Sequence, residues 1–108
     1  MRNAFMAFRE EAPQCAQAFD ALIGAVCAES ALDDRTRQLV YIGIKAALGD
    51  AGAVAAHAPM ARQAGATREE VRGAVLMTLT TSGVAGVMHC LLPALEAYDA
   101  AAGKEERE

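Results

Sequence analysis

An all-α fold of about five to six helices is the class this sequence predicts, on three observations. Roughly a quarter of the chain is Ala, the residue with the best helix propensity and no side-chain entropy to lose. Strand signals are nearly absent: few β-branched alternations and no Asn-Gly or Asp-Gly hairpin turn. Helix start and stop signals, by contrast, recur along the whole chain. The 108 residues suit one domain over 1–108. Hydrophobic residues make up 54%, yet aromatics only 5%, with no Trp. A lone domain this small buries only about two-thirds of its unfolded surface. Surplus apolar surface, and hence self-association, is therefore expected.

The elements follow in order. Residues 2–10 read as a short leading helix. Pro13 opens the next one, where its missing N–H leaves nothing unsatisfied. Cys15, Phe19, Leu22, Ile23 and Val26 then recur at three and four residues, which is one helix face. Residues 29–32 read as a linker. Asp33 is placed to cap a second long helix, with Leu32 as a hydrophobic staple. From Leu39 to Leu48 the one charge is Lys45, so most of that helix is expected to be buried. Gly49 ends it in the left-handed conformation, and Asp50 caps a helix running to about Gln63. Gly65 ends that helix. Thr67 and Glu70 form a capping box for the next. It presents Val71, Ala74, Val75, Thr78 and Leu79 on one face, and Ser82-Gly83 breaks it. A last helix shows Val84, Val87, Met88, Leu91, Leu95 and Tyr98. The charged end, Gly103–Glu108, is expected to fray. Pro59 and Pro93 fall inside helices and are expected to kink them. Pro59, two residues after His57, reads either as an ordinary kink or as shaping a pocket there.

Composition excludes several classes of function. A net charge of −4 with no basic cluster argues against nucleic acid as the partner. Acidic residues come too early at the N-terminus for a signal-peptide core. Three cysteines, Cys15, Cys27 and Cys90, make no secreted disulfide framework. A cytoplasmic chain is expected. Gly73–Leu95 carries no Asp, Glu, Lys or Arg and is long enough to span a bilayer. Its centre is Thr80-Thr81-Ser82-Gly83, which suits two buried helices meeting at a loop, so no membrane span is expected. Two His residues and scattered carboxylates fit no metal-ligand spacing. No metal and no cofactor are expected.

His57 is the best candidate for chemistry. Among side chains it is the natural acid or base near neutral pH. The other reading is a partly buried His bonded to a backbone carbonyl. Asp50, two turns earlier on a similar face, either orients His57 or is a plain N-cap. Lys45 and Arg62 are candidate contacts for an acidic substrate. Cys90 adjoins His89, but neighbouring helix positions point about 100° apart. Buried structural Cys is the default for all three cysteines.

Leu32-Asp33-Asp34-Arg35-Thr36-Arg37-Gln38-Leu39, then His57, then Gly65-Ala66-Thr67-Arg68-Glu69-Glu70-Val71, then Gly83, form an ordered set. That set resembles the carboxymuconolactone decarboxylase-like family, over about residues 19–98. The resemblance implies an AhpD-like bundle of antiparallel helices assembling as homotrimers or homohexamers. It also implies two chemistries. One is cofactor-free decarboxylation of a small organic acid or lactone, with His57 as acid/base. The other is the thiol chemistry of the alkylhydroperoxidase D (AhpD) branch, the source of the peroxiredoxin activity associated with the domain. That branch uses Cys-x-x-Cys-x-x-x-His with a Glu on the preceding helix. Its cysteine positions fall here on Asp50 and Ala53, and its Glu on Gln38. A thiol peroxidase needs a thiolate, which Asp and Ala do not supply. Three functions follow as expectations: a lyase through His57, a non-catalytic homo-oligomeric binding or scaffold protein, and a thiol peroxidase through Cys90.

Overall fold

The leading helix, α1 (Ala4–Glu11), starts at Asn3, whose side-chain oxygen accepts from the Met6 backbone N–H at 2.9 Å. The structure, a computed structural model, describes residues 3–107. Arg2, the expected start of this helix, lies outside them. Pro13 begins α2 (Pro13–Glu29) as expected. Among the described residues there are six α-helices, one 3₁₀ turn and no strand. The chain divides into two compact units, the first ending at Leu32 and the second starting at Asp33.

The first unit is α1 and α2. Phe8 and Phe19 meet edge to face at 6.1 Å, and Arg9 pairs with Asp20 at 3.0 Å. Within this unit Ala16 is buried, while Phe19, Leu22, Ile23 and Val26 stay exposed. The expected apolar face of α2 thus exists, but within this unit the short α1 offers it too little to pack against. Ala31, in the linker, adopts φ +62°, a left-handed conformation unusual for a residue with a Cβ.

The second unit is α3 (Asp34–Ala47), α4 (Ala51–Gln63), α5 (Arg68–Leu76), the 3₁₀ turn Met77–Thr80 and α6 (Ala85–Arg107). Its punctuation is what the sequence predicts. Asp33 and Asp50 cap α3 and α4, accepting from the Thr36 and Ala53 N–H groups. Gly49, Gly65 and Gly83 all carry positive φ. Thr67 and Glu70 close the capping box on α5. Gln38 meets His57 and Lys45 meets Asp50, so residues rising along α3 meet residues falling along α4. These two helices are therefore antiparallel. Arg68 pairs with Asp99 while Thr78 lies against Gly86, so α5 and its 3₁₀ extension also run against α6.

The core is built from small faces. Val54, Ala58 and Ala61 on α4 meet Cys90, Ala94 and Tyr98 on α6, with Ile42, Ala46, Val71 and Val75 closing the sides. Each set recurs at three or four residues, so it forms one stripe. Small side chains let helix axes approach to the short end of the usual spacing, roughly 8 Å. Gly86 sits at the tightest point: a Cβ there would lie 2.7 Å from the Ala46 carbonyl oxygen and 2.8 Å from Thr78 Oγ1. Tyr98 supplies the large buried ring, and its hydroxyl donates to the Ala66 carbonyl at 2.7 Å.

Two local expectations are corrected. On α3, Ile42 and Ala46 are buried, but Val40, Ile44 and Leu48 are exposed, at 46%, 57% and 72%. A helix is a cylinder, and this one meets its neighbours on one side. On α6 the buried line is Cys90, Ala94 and Tyr98, with Val87 and Leu91 packed against it, while Met88 and the preceding Val84 are exposed. Close helix approach favours the small Cys90 and Ala94 at the contact. α6 runs through Gly103 to Arg107. Glu108 lies outside the described residues. Among the described residues no single helix is long and apolar enough to cross a membrane. Gly73–Leu95 is the end of α5, the 3₁₀ turn and the first half of α6, broken at Gly83.

Candidate active site

Four side chains gather where α3 and α4 lie antiparallel. Gln38, Tyr41 and Lys45 stand on one face of α3, spaced by three and four residues. His57 faces them from α4. Its imidazole stacks on the Tyr41 ring with centroids 3.7 Å apart and planes 22° apart. Its Nδ1 lies 2.8 Å from Gln38 Oε1. An amide oxygen carries no hydrogen, so Nδ1–H is the donor. The lone pair of the neutral ring is then on Nε2.

Two effects hold His57 below the ordinary pKa of imidazole. Burial is the larger, because a half-buried ring loses part of the water that would solvate its cation. The positive charge of Lys45 is the smaller. His57 is thus held neutral, with one nitrogen occupied by Gln38 and the other basic. A base needs that form in order to accept a proton near neutral pH.

Lys45 is about one-third exposed. Its ammonium lies 5.7 Å from the Tyr41 ring centre, within cation–π range. Asp50 lies 3.8 Å from it. Asp50 itself caps α4 through the Ala53 N–H, at 3.0 Å. Of the two roles open to Asp50, the structure shows the cap, and the pairing with Lys45 comes in addition. The bond of His57 goes to the Gln38 side chain rather than to a backbone carbonyl.

Cys90 is elsewhere. It is fully buried in the α4–α6 core. Burial pushes its thiol pKa up, and the Asp50 carboxylate adds to the shift. Both effects oppose the thiolate, the nucleophilic form. Cys15 is exposed and Cys27 half-buried, both on α2. Arg62, the other cation named from sequence, lies over the Tyr98 ring at 4.7 Å. Among the described residues no three His, Cys, Asp or Glu side chains gather as a metal site.

A groove lies on another face of α3. It is open and apolar, about 530 Å³, and is lined by Val40, Gly43 and Ile44 of α3 with Ala74, Met77 and Thr81 opposite. His57 is not among its lining residues.

The order of these parts along the chain is that of a known family, and residues 13–96 match the carboxymuconolactone decarboxylase family model. The chain belongs to the carboxymuconolactone decarboxylase family. No curated protein and no solved structure shows significant similarity to it. Within the family match lie Gln38, Tyr41, Lys45, Asp50, His57 and Cys90. Tyr41 is the site residue that sequence reasoning missed. The available signal was the helical spacing of Gln38, Tyr41 and Lys45 on the element that precedes His57.

Proposed function

We propose that this member of the carboxymuconolactone decarboxylase family is a cofactor-free lyase. It acts on a small organic acid or lactone, with His57 as its acid/base. One observation carries the reading: the Nδ1 of a half-buried His57 is tied to Gln38, so the neutral ring presents a basic Nε2. In a decarboxylation the carbon that loses CO₂ keeps the bonding electron pair and takes up a proton. The protonated fraction of His57, a stronger acid for its lowered pKa, would donate that proton from Nε2, and the neutral ring would regain one from water. The same nitrogen would serve in the reverse sense, taking a proton from carbon next to a carbonyl. Gln38 is the positioning residue, since its amide fixes the tautomer. The test is turnover on a panel of lactone carboxylates. His57→Ala should lose it, by about 10²–10⁴-fold if proton transfer is the step removed. Unchanged turnover on an identified substrate would overturn the reading.

Thiol peroxidase chemistry through Cys90 gains no support from a fully buried thiol whose pKa is pushed up. Self-association is supported by a specific observation. Val40, Ile44 and Met77 line the groove and stay exposed, as does Leu48 at the end of α3, and exposed apolar side chains gathered in this way mark a contact surface. A second copy of the chain is the proposed cover, in a homotrimer or homohexamer. If that face alone carries the function, the protein is a non-catalytic scaffold, and His57→Ala would change nothing measurable in its assembly. Mass measurement in solution tests the interface: Ile44→Glu should yield smaller species, and an unaltered mass would exclude this face.

A further inference from the structure

The ammonium of Lys45 is held but poorly paired. Its nearest carboxylate, Asp50, is 3.8 Å away, too long for a hydrogen bond. The other oxygen of Asp50 is committed to the Ala53 N–H at 3.0 Å. The cap ties Asp50 to the first turn of its helix, so it faces Lys45 with one oxygen only. Lys45 meanwhile lies over Tyr41, and Tyr41 is stacked on His57. A two-thirds buried cation with three donors and only a distant counter-ion is set up to take an anion from solution.

We propose that Lys45 is the anion-binding residue of this site, and that a small carboxylate takes the place of Asp50 on it, beside the Tyr41–His57 stack. This rests on the acid/base reading of His57 and adds a consequence to it. Lys45 is the charge whose field suppresses protonation of His57. A bound carboxylate neutralises that field, so substrate itself makes His57 the stronger base. Bound substrate then raises the share of His57 present as the imidazolium needed to protonate a carbanion. The other charged groups near α4 are otherwise engaged. On α5, Arg68 pairs with Asp99 of α6 and Glu70 pairs with Arg35. On α6, Tyr98 is bonded to Ala66, Cys90 is a protonated thiol facing Asp50, and His89 and Glu96 are absent from the groups that shift His57.

The experiment follows the imidazole signal of His57 by NMR against pH, first in chloride and then in acetate. A His89→Gln variant serves for assignment. Acetate should raise the titration midpoint of His57 in the unmodified protein. In Lys45→Met the midpoint should already lie higher in chloride, and acetate should not move it further. Acetate affinity should fall about tenfold in that variant, the value of one charge-assisted hydrogen bond. Lys45→Arg keeps the charge and should keep the response, which covers the case that Lys45→Met fails to fold. Asp50→Asn retains a capping side chain and should bind acetate more tightly. A midpoint indifferent to acetate in the unmodified protein, or an equal shift in Lys45→Met, would overturn the proposal. These readouts need no turnover. Loss of the acid/base reading would show instead as activity that survives His57→Ala.

Discussion

Gly86→Ala tests how the small-residue core is held together. In α6 this change should help, because Ala is better than Gly in a helix by about 1 kcal/mol. The packing says otherwise. The new Cβ would stand 2.7 Å from the Ala46 carbonyl oxygen and 2.8 Å from Thr78 Oγ1, against an ordinary contact of 3.4–4 Å. The first obstacle is backbone, so α3 and α6 must separate rather than a side chain swing away. Overpacking of this kind costs typically 1–3 kcal/mol. The second obstacle is the Thr78 hydroxyl, which donates to the Val75 carbonyl at 2.7 Å inside the core. Turning it away forfeits roughly 1 kcal/mol. After the propensity gain, the net loss is about 1–3 kcal/mol. For a domain of this size that lowers Tm by roughly 4–8 °C per kcal/mol. Calorimetry is the assay, with Gly73→Ala as the control. Gly73 is also helical, but its Cβ would meet nothing within 4 Å, so that variant should be stabilised. If Gly86→Ala is as stable as Gly73→Ala, the close approach of α6 to α3 is not what the packing implies.

Other outcomes follow from the same contacts. Tyr98→Phe removes a buried donor and strands the Ala66 carbonyl, with an expected loss of about 1–3 kcal/mol in urea unfolding. Thr67→Ala opens the capping box and should cost about 1 kcal/mol by the same measurement. Gln38→Leu removes the acceptor for Nδ1, so the imidazole nitrogens in an NMR spectrum should show mixed tautomers where the unmodified protein shows one. The pH dependence has a definite sign. His57 binds its proton more weakly folded than unfolded. Below the unfolded pKa of about 6.5 the unfolded chain therefore takes up more protons, and stability falls as pH drops toward the folded pKa. Above about 6.5 this group contributes no slope. His57→Gln should flatten that part of the stability–pH curve.

Much was legible in the sequence because the signals were local. The caps at Asp33, Asp50 and Thr67, and the left-handed glycines at 49, 65 and 83, depend on a few neighbouring residues. So does the break at Gly83 that divides the uncharged stretch from Gly73 to Leu95. Family membership was legible in the order of those same parts. Which face of each helix would be covered was not. Leu39–Leu48 reads as apolar apart from Lys45, yet Ile42 and Ala46 are buried while Ile44 and Leu48 are not. Periodicity names a stripe, but only the position of neighbouring helices says which stripe is met.

The candidate site divides in the same way. His57 stood out by residue type, and Gln38 by its place in the family pattern. Tyr41 did not stand out, and neither did the stacking that places it on His57. By itself, the sequence determined the helices, their ends and the absence of the Cys-x-x-Cys pair. The tertiary structure decided that the Nδ1 of His57 meets Gln38, that Cys90 is sealed in the core, and that Lys45 is left with a distant partner. The reason is one of range. Helix ends follow from hydrogen bonds within a turn or so, whereas the protonation of His57 is set by groups brought within a few ångströms from another helix.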